Sequence, residues 1–275
     1  MAVDDAQVAA GMRITLTGAG SPPLFFVHGF ACDGTDWHAQ AEVFAATNTV
    51  VTCDLPGHGQ SPATAPCTIA AFAVAVVGAL AELALPPAIL IGHSLGCRVV
   101  LEAARLRPEA VAGLVLVDGS RIGEGDPVAA VQAMADELSG AGYRRFVRQF
   151  FGSMFVPSSD PALANAITER ALRLSPTVGR TLMADLAGWD AGDVVSALAA
   201  VRVPLLAIQS TTMNTARERV SLAPGRNSPW LDLIRAHVST ASVAELVGAG
   251  HFPQIERADD VTELIAGFLR SECAQ

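Results

Sequence analysis

The sequence predicts an α/β protein: a mostly parallel sheet with helices on both faces, interrupted late in the chain by a helical insertion. Three observations carry this. Short apolar runs rich in β-branched residues alternate with longer Ala/Leu-rich stretches of helical character. Residues able to do chemistry fall just after those runs, at the strand ends where such sheets bind ligands. Between Arg121 and about Ser196 the alternation stops and no strand candidate occurs.

Taken in order, strands are expected at Met12–Leu16, Leu24–Val27, Thr49–Cys53, Ala88–Ile91, Gly113–Val117, Leu205–Ile208 and Ser242–Leu246. Their near-continuous apolar character suits strands covered on both faces. The run Ile69–Leu85 is the most apolar of all, but it is Ala-rich, carries Glu82 and stops at Pro86-Pro87. It reads as a buried helix, not a membrane span. The insertion holds Met134, Phe146, Phe150, Phe151, Met154, Phe155 and Trp189, with breaks at Pro127, Pro157, Pro161 and Pro176. It reads as a helical lid of residues 121–196 on a core of residues 1–120 and 197–275. Most of its aromatics belong to the lid's own core, and a few are expected to face a substrate. An amphipathic helix, Asp260–Leu269, closes the chain.

With 51% hydrophobic and 16% charged residues, the 275-residue chain has the composition of a protein with a large core. Its net charge of -9 and lack of a basic cluster argue against a nucleic-acid or anionic-membrane partner. All 18 cationic residues are Arg, which excludes Schiff-base catalysis and a P-loop lysine. The five cysteines, Cys32, Cys53, Cys67, Cys97 and Cys273, have no CxxC spacing, so neither a zinc site nor a disulfide framework is expected. Reduced thiols, together with Asp4 and Asp5 where a signal peptide carries positive charge, predict a cytoplasmic protein. No HExxH, CxxC or GxGxxG pattern occurs, so no metal and no organic cofactor is expected.

Gly92-His93-Ser94-Leu95-Gly96 is a G-x-S-x-G element with a strand before it and a helix after it, the context in which the serine of such a turn is a nucleophile. The oxyanion of acyl transfer needs two donors, one being the N–H after the nucleophile, here Leu95. The second is expected from Phe30, in the His28-Gly29-Phe30 loop after Leu24–Val27, where Gly29 lets backbone approach a substrate. Of six histidines, His251 follows the last strand and the turn Gly248-Ala249-Gly250, at the same sheet edge as Ser94, and is the expected base. His28 and His93 flank the oxyanion and nucleophile positions and read as structural; His93, beside Ser94, is also counted among the substrate contacts. His58 reads as a loop brace, and His38 and His237 as surface or packing residues. Phe151, Trp189 and Phe252 complete the expected substrate contacts. The loop after Leu205–Ile208, Gln209 to Asn214, has no carboxylate, so the orienting acid is sought elsewhere. Asp118, at the end of Gly113–Val117, is the first choice; alternatively it is only a turn former before Gly119. Asp232 and Glu218 are the fallbacks.

Phe26-Val-His-Gly-Phe30, Asp54-Leu-Pro-Gly-His-Gly-Gln-Ser61, Gly92-His-Ser-Leu-Gly96 and Gly250-His-Phe-Pro253, in this order, resemble the α/β-hydrolase superfamily, in the branch with a helical cap. The likeness runs from Leu24 to Leu269 and implies an eight-stranded sheet. It also implies acyl transfer by Ser94, His251 and an acid, without cofactor. The departure is the missing acid after the penultimate strand; some relatives, lactonases included, take it from the strand end matched here by Asp118. The resemblance implies an esterase or lactonase, the apolar insertion argues for a hydrophobic small-molecule substrate, and a monomer or homodimer is expected without a residue that decides between them. Carbon–carbon hydrolysis or lyase chemistry with the same Ser and His is the alternative within the fold, and a slow-turnover small-molecule sensor is another. An Asp-nucleophile dehalogenase is disfavoured by Ser94 itself.

Overall fold

The computed structural model describes residues 5–63, 66–139, 142–214, 219–224 and 228–272. Two strands open it, β1 (Asp5–Ala9) and β2 (Met12–Thr17), paired antiparallel across a turn in which Ala10 and Gly11 both have positive φ. Next come β3 (Leu24–Val27), α1 (His38–Phe44), β4 (Val50–Asp54), α2 (Ile69–Glu82), β5 (Ala88–His93), α3 (Leu95–Leu106) and β6 (Val111–Val117). Five helices follow without a strand: α4 (Pro127–Glu137), α5 (Tyr143–Gly152), α6 (Pro161–Ala171), α7 (Pro176–Gly192) and α8 (Val194–Ala200). The chain then returns through β7 (Leu205–Gln209), a small hairpin of β8 (Thr211–Met213) and β9 (Arg219–Ser221), and α9 (Pro229–His237). It ends with β10 (Ala241–Glu245), α10 (Pro253–Glu256) and α11 (Ala258–Glu272).

Eight strands form one sheet in the order β1-β2-β4-β3-β5-β6-β7-β10, antiparallel through β4 and parallel from there on. Side-chain alternation with period two feeds two cores. Phe25, Val27, Leu90, Leu114, Leu116, Leu205 and Ala207 pack on the face covered by α2, α3 and α9. Their neighbours Leu24, Phe26, Ile89, Ile91, Val115, Val117, Leu206 and Ile208 pack against Trp37, Phe44 and the Val261, Ile265 and Phe268 row of α11.

The expected strands agree with the observed ones to within about two residues, and Ile69 opens a buried helix capped by the Thr68 hydroxyl. Two elements were not expected. Strand β1 carries one β-branched residue, Val8, which is 75% exposed, so no apolar alternation marks it. The segment after β7, read as a plain loop, enters the β8–β9 hairpin. Within the insertion, Pro127, Pro161 and Pro176 begin α4, α6 and α7, where a missing N–H costs nothing, and Asp126 and Asp160 cap the first two. Residue 196 falls inside α8, whose Ala197 and Leu198 are buried. Among the described residues no helix is long and apolar enough to cross a membrane.

Candidate active site

The turn between β5 and α3 places Ser94 at φ 54° and ψ −112°, a left-handed backbone that a non-glycine residue adopts at a cost of about 1–3 kcal/mol. Close packing enforces it. A Cβ on Gly92 would strike the Gly96 carbonyl, and one on Gly96 would lie 2.5 Å from the Val27 carbonyl oxygen. The strained turn therefore needs glycine on both sides of the serine, and it aims Ser94 away from the helix it starts.

His251 Nε2 lies 2.9 Å from Ser94 Oγ, and His251 Nδ1 lies 2.6 Å from Asp118 Oδ2. With Nδ1–H donated to the carboxylate, Nε2 is left as the acceptor for the serine hydroxyl. Asp118, itself at φ 44°, is fully buried. Its Oδ1 accepts the N–H groups of Ser210 (2.8 Å) and Thr211 (2.7 Å), and its Oδ2 also accepts the Thr211 hydroxyl at 2.6 Å. Burial works to raise the Asp118 carboxyl, but the hydrogen bond and charge of His251, with Arg219 and Thr211, hold it below its ordinary value. Burial, followed by the Arg219 charge, pushes His251 down to about 4, against the raising effect of Asp118. At neutral pH the imidazole is therefore uncharged and free to take a proton.

The His251 backbone is fixed on every side. Its N–H donates to the Met154 carbonyl at 2.8 Å, and its own carbonyl accepts from His93 Nε2 at 2.7 Å. The Glu256 carboxylate accepts the N–H groups of Gly250 and Phe252, both at 3.3 Å, and Ser210 Oγ donates to the Gly250 carbonyl at 2.7 Å. His93, buried and set against the rings of His251 and Phe252, thus braces the His251 imidazole from behind.

Beside Ser94, a Cβ on Gly29 would stand 3.3 Å from the Ser94 Cβ, so the Gly29-Phe30 backbone runs close against the serine. Leu95 opens α3, where N–H groups have no acceptor within the helix. These two backbone segments, from β3 and α3, flank Ser94. His28 accepts the Leu55 N–H on Nε2 and donates from Nδ1 to the Gly29 carbonyl, tying this loop to the one after β4.

Above them lies an aromatic cover. The ring of Phe30 meets Phe150 and Phe151 at 6.4 Å, Phe151 meets Phe252 at 6.4 Å, and Phe155 stacks on Phe252 at 5.4 Å. Phe151 and Phe252 thus sit at the site. Trp189 is buried in α7, and its indole Nε1 has no hydrogen-bond partner. Arg170 of α6 pairs with Asp33 at 3.2 Å and with Asp36, tying the insertion to the loop after Phe30.

Four participants were not expected. Arg98 of α3 donates to the Ser94 carbonyl (2.9 Å), the Ser120 carbonyl and both carboxylate oxygens of Asp190 on α7. Arg98 had a signal, being one cation, four residues after the serine, in an otherwise apolar stretch. Asp190 had none, since its partner is distant in the chain, and Glu256 and Arg219 meet their nearby partners only through turns that no residue pattern marks. The segment Pro229-Trp230-Leu231-Asp232 starts α9, and the buried Trp230 lies under the Arg98 guanidinium, 5.7 Å from ring centre to Cζ. Asp232 is 49% exposed and faces Arg235, away from His251. Glu218 lies outside the described residues.

Known proteins give context for this geometry. The dihydrolipoyllysine-residue acetyltransferase component of the acetoin cleaving system of Cupriavidus necator is 28% identical over 268 residues, which is 94% of this chain and 66% of that protein. Pimeloyl-[acyl-carrier protein] methyl ester esterase of Methylococcus capsulatus is 38% identical over 110 residues, or 40% of this chain and 41% of that one. The chain thus spans less than two thirds of the length of either. A thermophilic esterase from Thermogutta terrifontis superposes with a TM-score of 0.77 at 23% identity, over 99% of this chain and 98% of that one, and shares the fold. The model of the alpha/beta hydrolase family matches residues 24–264, and the chain belongs to that family.

Proposed function

We propose that this protein is a serine hydrolase that cleaves a carboxylic ester or lactone of a hydrophobic small molecule through an acyl-Ser94 intermediate. The observation that carries the reading is the unbroken hydrogen-bond chain from Ser94 Oγ through His251 to Asp118, set on a strained turn. In this reading His251 Nε2 takes the proton of Ser94 as Oγ attacks the carbonyl carbon. The N–H groups of Phe30 and Leu95 stabilise the oxyanion. His251 returns the proton to the departing alkoxide, which leaves as an alcohol; in a lactone it stays tethered. Water, deprotonated by the same nitrogen, then attacks the acyl carbon, and Ser94 regains its proton. Asp118 fixes the imidazole tautomer and offsets the charge His251 acquires.

The cover of Phe30, Phe150, Phe151, Phe155 and Phe252 supports an apolar substrate, since such sites bind chiefly by burying apolar surface. A family relative that is an ester esterase agrees with ester chemistry. The test is hydrolysis of p-nitrophenyl esters and of aliphatic lactones across chain lengths by the wild type and Ser94→Ala. Turnover abolished by the substitution supports the reading. A wild type inert on every ester and lactone overturns it.

A further inference from the structure

We propose that Arg219 is a positioning residue of this site: seated on Asp118 and Thr211, its guanidinium limits how far Asp118 supports a charged His251, and so fixes the pH at which Ser94 becomes reactive. This rests on the proposed roles of Ser94, His251 and Asp118.

Arg219 opens β9, and pairing with Met213 across the hairpin carries its side chain back to the end of β6. The side chain is 5% exposed. Nη1 donates to Thr211 Oγ1 at 2.7 Å and lies 3.5 Å from Asp118 Oδ2; Nη2 reaches Ser120 Oγ at 3.4 Å. Oδ2 is the same oxygen that receives His251 Nδ1. The cation and the imidazole therefore draw on one carboxylate oxygen, and charge given to one is withheld from the other.

The charges around His251 make the competition unavoidable. From β6 comes Asp118, from β9 Arg219, from α3 Arg98, and from β5 the buried His93. Arg98 is neutralised by Asp190 of α7, whereas among the described residues Asp118 is the carboxylate paired with Arg219. Glu256 of α10 spends its carboxylate on the N–H groups of Gly250 and Phe252 and on the Ser159 hydroxyl. Arg98 and Asp190 thus balance as one buried pair, and Arg219 and Asp118 as another, so a proton on His251 must draw on a carboxylate already shared with a guanidinium. Arg219 acts with burial to depress the proton affinity of His251.

The test uses the full chain and a fluorophosphonate probe, which reports Ser94 reactivity whatever the natural substrate is. The second-order rate of Ser94 modification is measured by intact mass from pH 3.5 to 8 for wild type, Arg219→Gln and Arg219→Lys, with circular dichroism at each pH to confirm folding. Arg219→Met serves as the neutral variant if the glutamine form does not fold. The neutral variant is expected to move the midpoint of the acid limb upward by about one pH unit or more, while Arg219→Lys keeps it near the wild-type position. An unmoved limb in a folded neutral variant overturns the inference, because loss of a merely structural contact lowers the rate at all pH values alike. So does a wild-type limb centred in the ordinary histidine range. A wild type that is never labelled at Ser94 removes instead the triad reading beneath it.

Discussion

Arg98 and Asp190 form an ion pair sealed from solvent, 2.8 Å between Nη2 and Oδ2, with the two side chains 1% and 0% exposed. The pair joins the helix behind Ser94 to the longest helix of the insertion. Removing one partner strands a buried charge, a loss of about 3–5 kcal/mol. Arg98→Met and Asp190→Leu are each expected to lower the melting temperature sharply, and the double variant to recover part of the loss. Simple addition of the two losses would show that the residues act independently.

Asp118→Asn is expected to keep the fold while lowering kcat by about 10³–10⁴-fold, because an amide favours the wrong imidazole tautomer. Asp232→Asn, on the exposed face of α9, is expected to leave kcat unchanged. Equal effects in the two variants would transfer the acid role away from Asp118.

Stability should fall in mild acid. Burial pushes His28 and His251 down to about 4 and His58 down to about 3. An unfolded chain takes up protons on these groups as pH falls below the ordinary histidine value, near 6.5, while the native state refuses them until pH 4 or lower. Their contribution is therefore fully present above pH 6.5 and is lost as pH falls toward 4, at up to about 1.4 kcal/mol per pH unit for each group. Melting temperatures at pH 7.5, 6.0 and 5.0 check the slope, and a flat profile contradicts it.

Phe151→Ala removes a fully buried ring from the cover over Phe252. A stability loss of about 3–5 kcal/mol is expected, with a shift of ester preference toward bulkier acyl groups. The preference shift is read from kcat/KM across chain lengths; no shift would place the acyl pocket away from Phe151.

What the sequence disclosed and what it hid have a common cause. Ser94 and His251 were legible because short local patterns force their backbone, as the clash between Gly96 and Val27 illustrates. Strands β3 to β7 were legible because burial on both faces leaves near-continuous apolar runs. Asp118 is marked in the sequence only by the lack of a carboxylate after β7, and its four accepted hydrogen bonds come from residues more than ninety positions away. Asp190 acts through tertiary neighbours, and Glu256 and Arg219 act within a turn and a hairpin that no residue pattern marks. Strand β1 is paired through its backbone, with Val8 turned outward, so its side chains give no periodic signal.

The Met154 carbonyl that accepts the His251 N–H belongs to the segment that carries Phe151 and Phe155, the rings covering the site. The aromatic packing beside Ser94 and the alignment of His251 therefore use the same piece of chain. Any displacement of that segment would withdraw the acceptor from His251. The arrangement couples the packing over Ser94 to the orientation of His251: a substitution that loosens the Phe151–Phe155 segment would also cost the imidazole one of its backbone anchors.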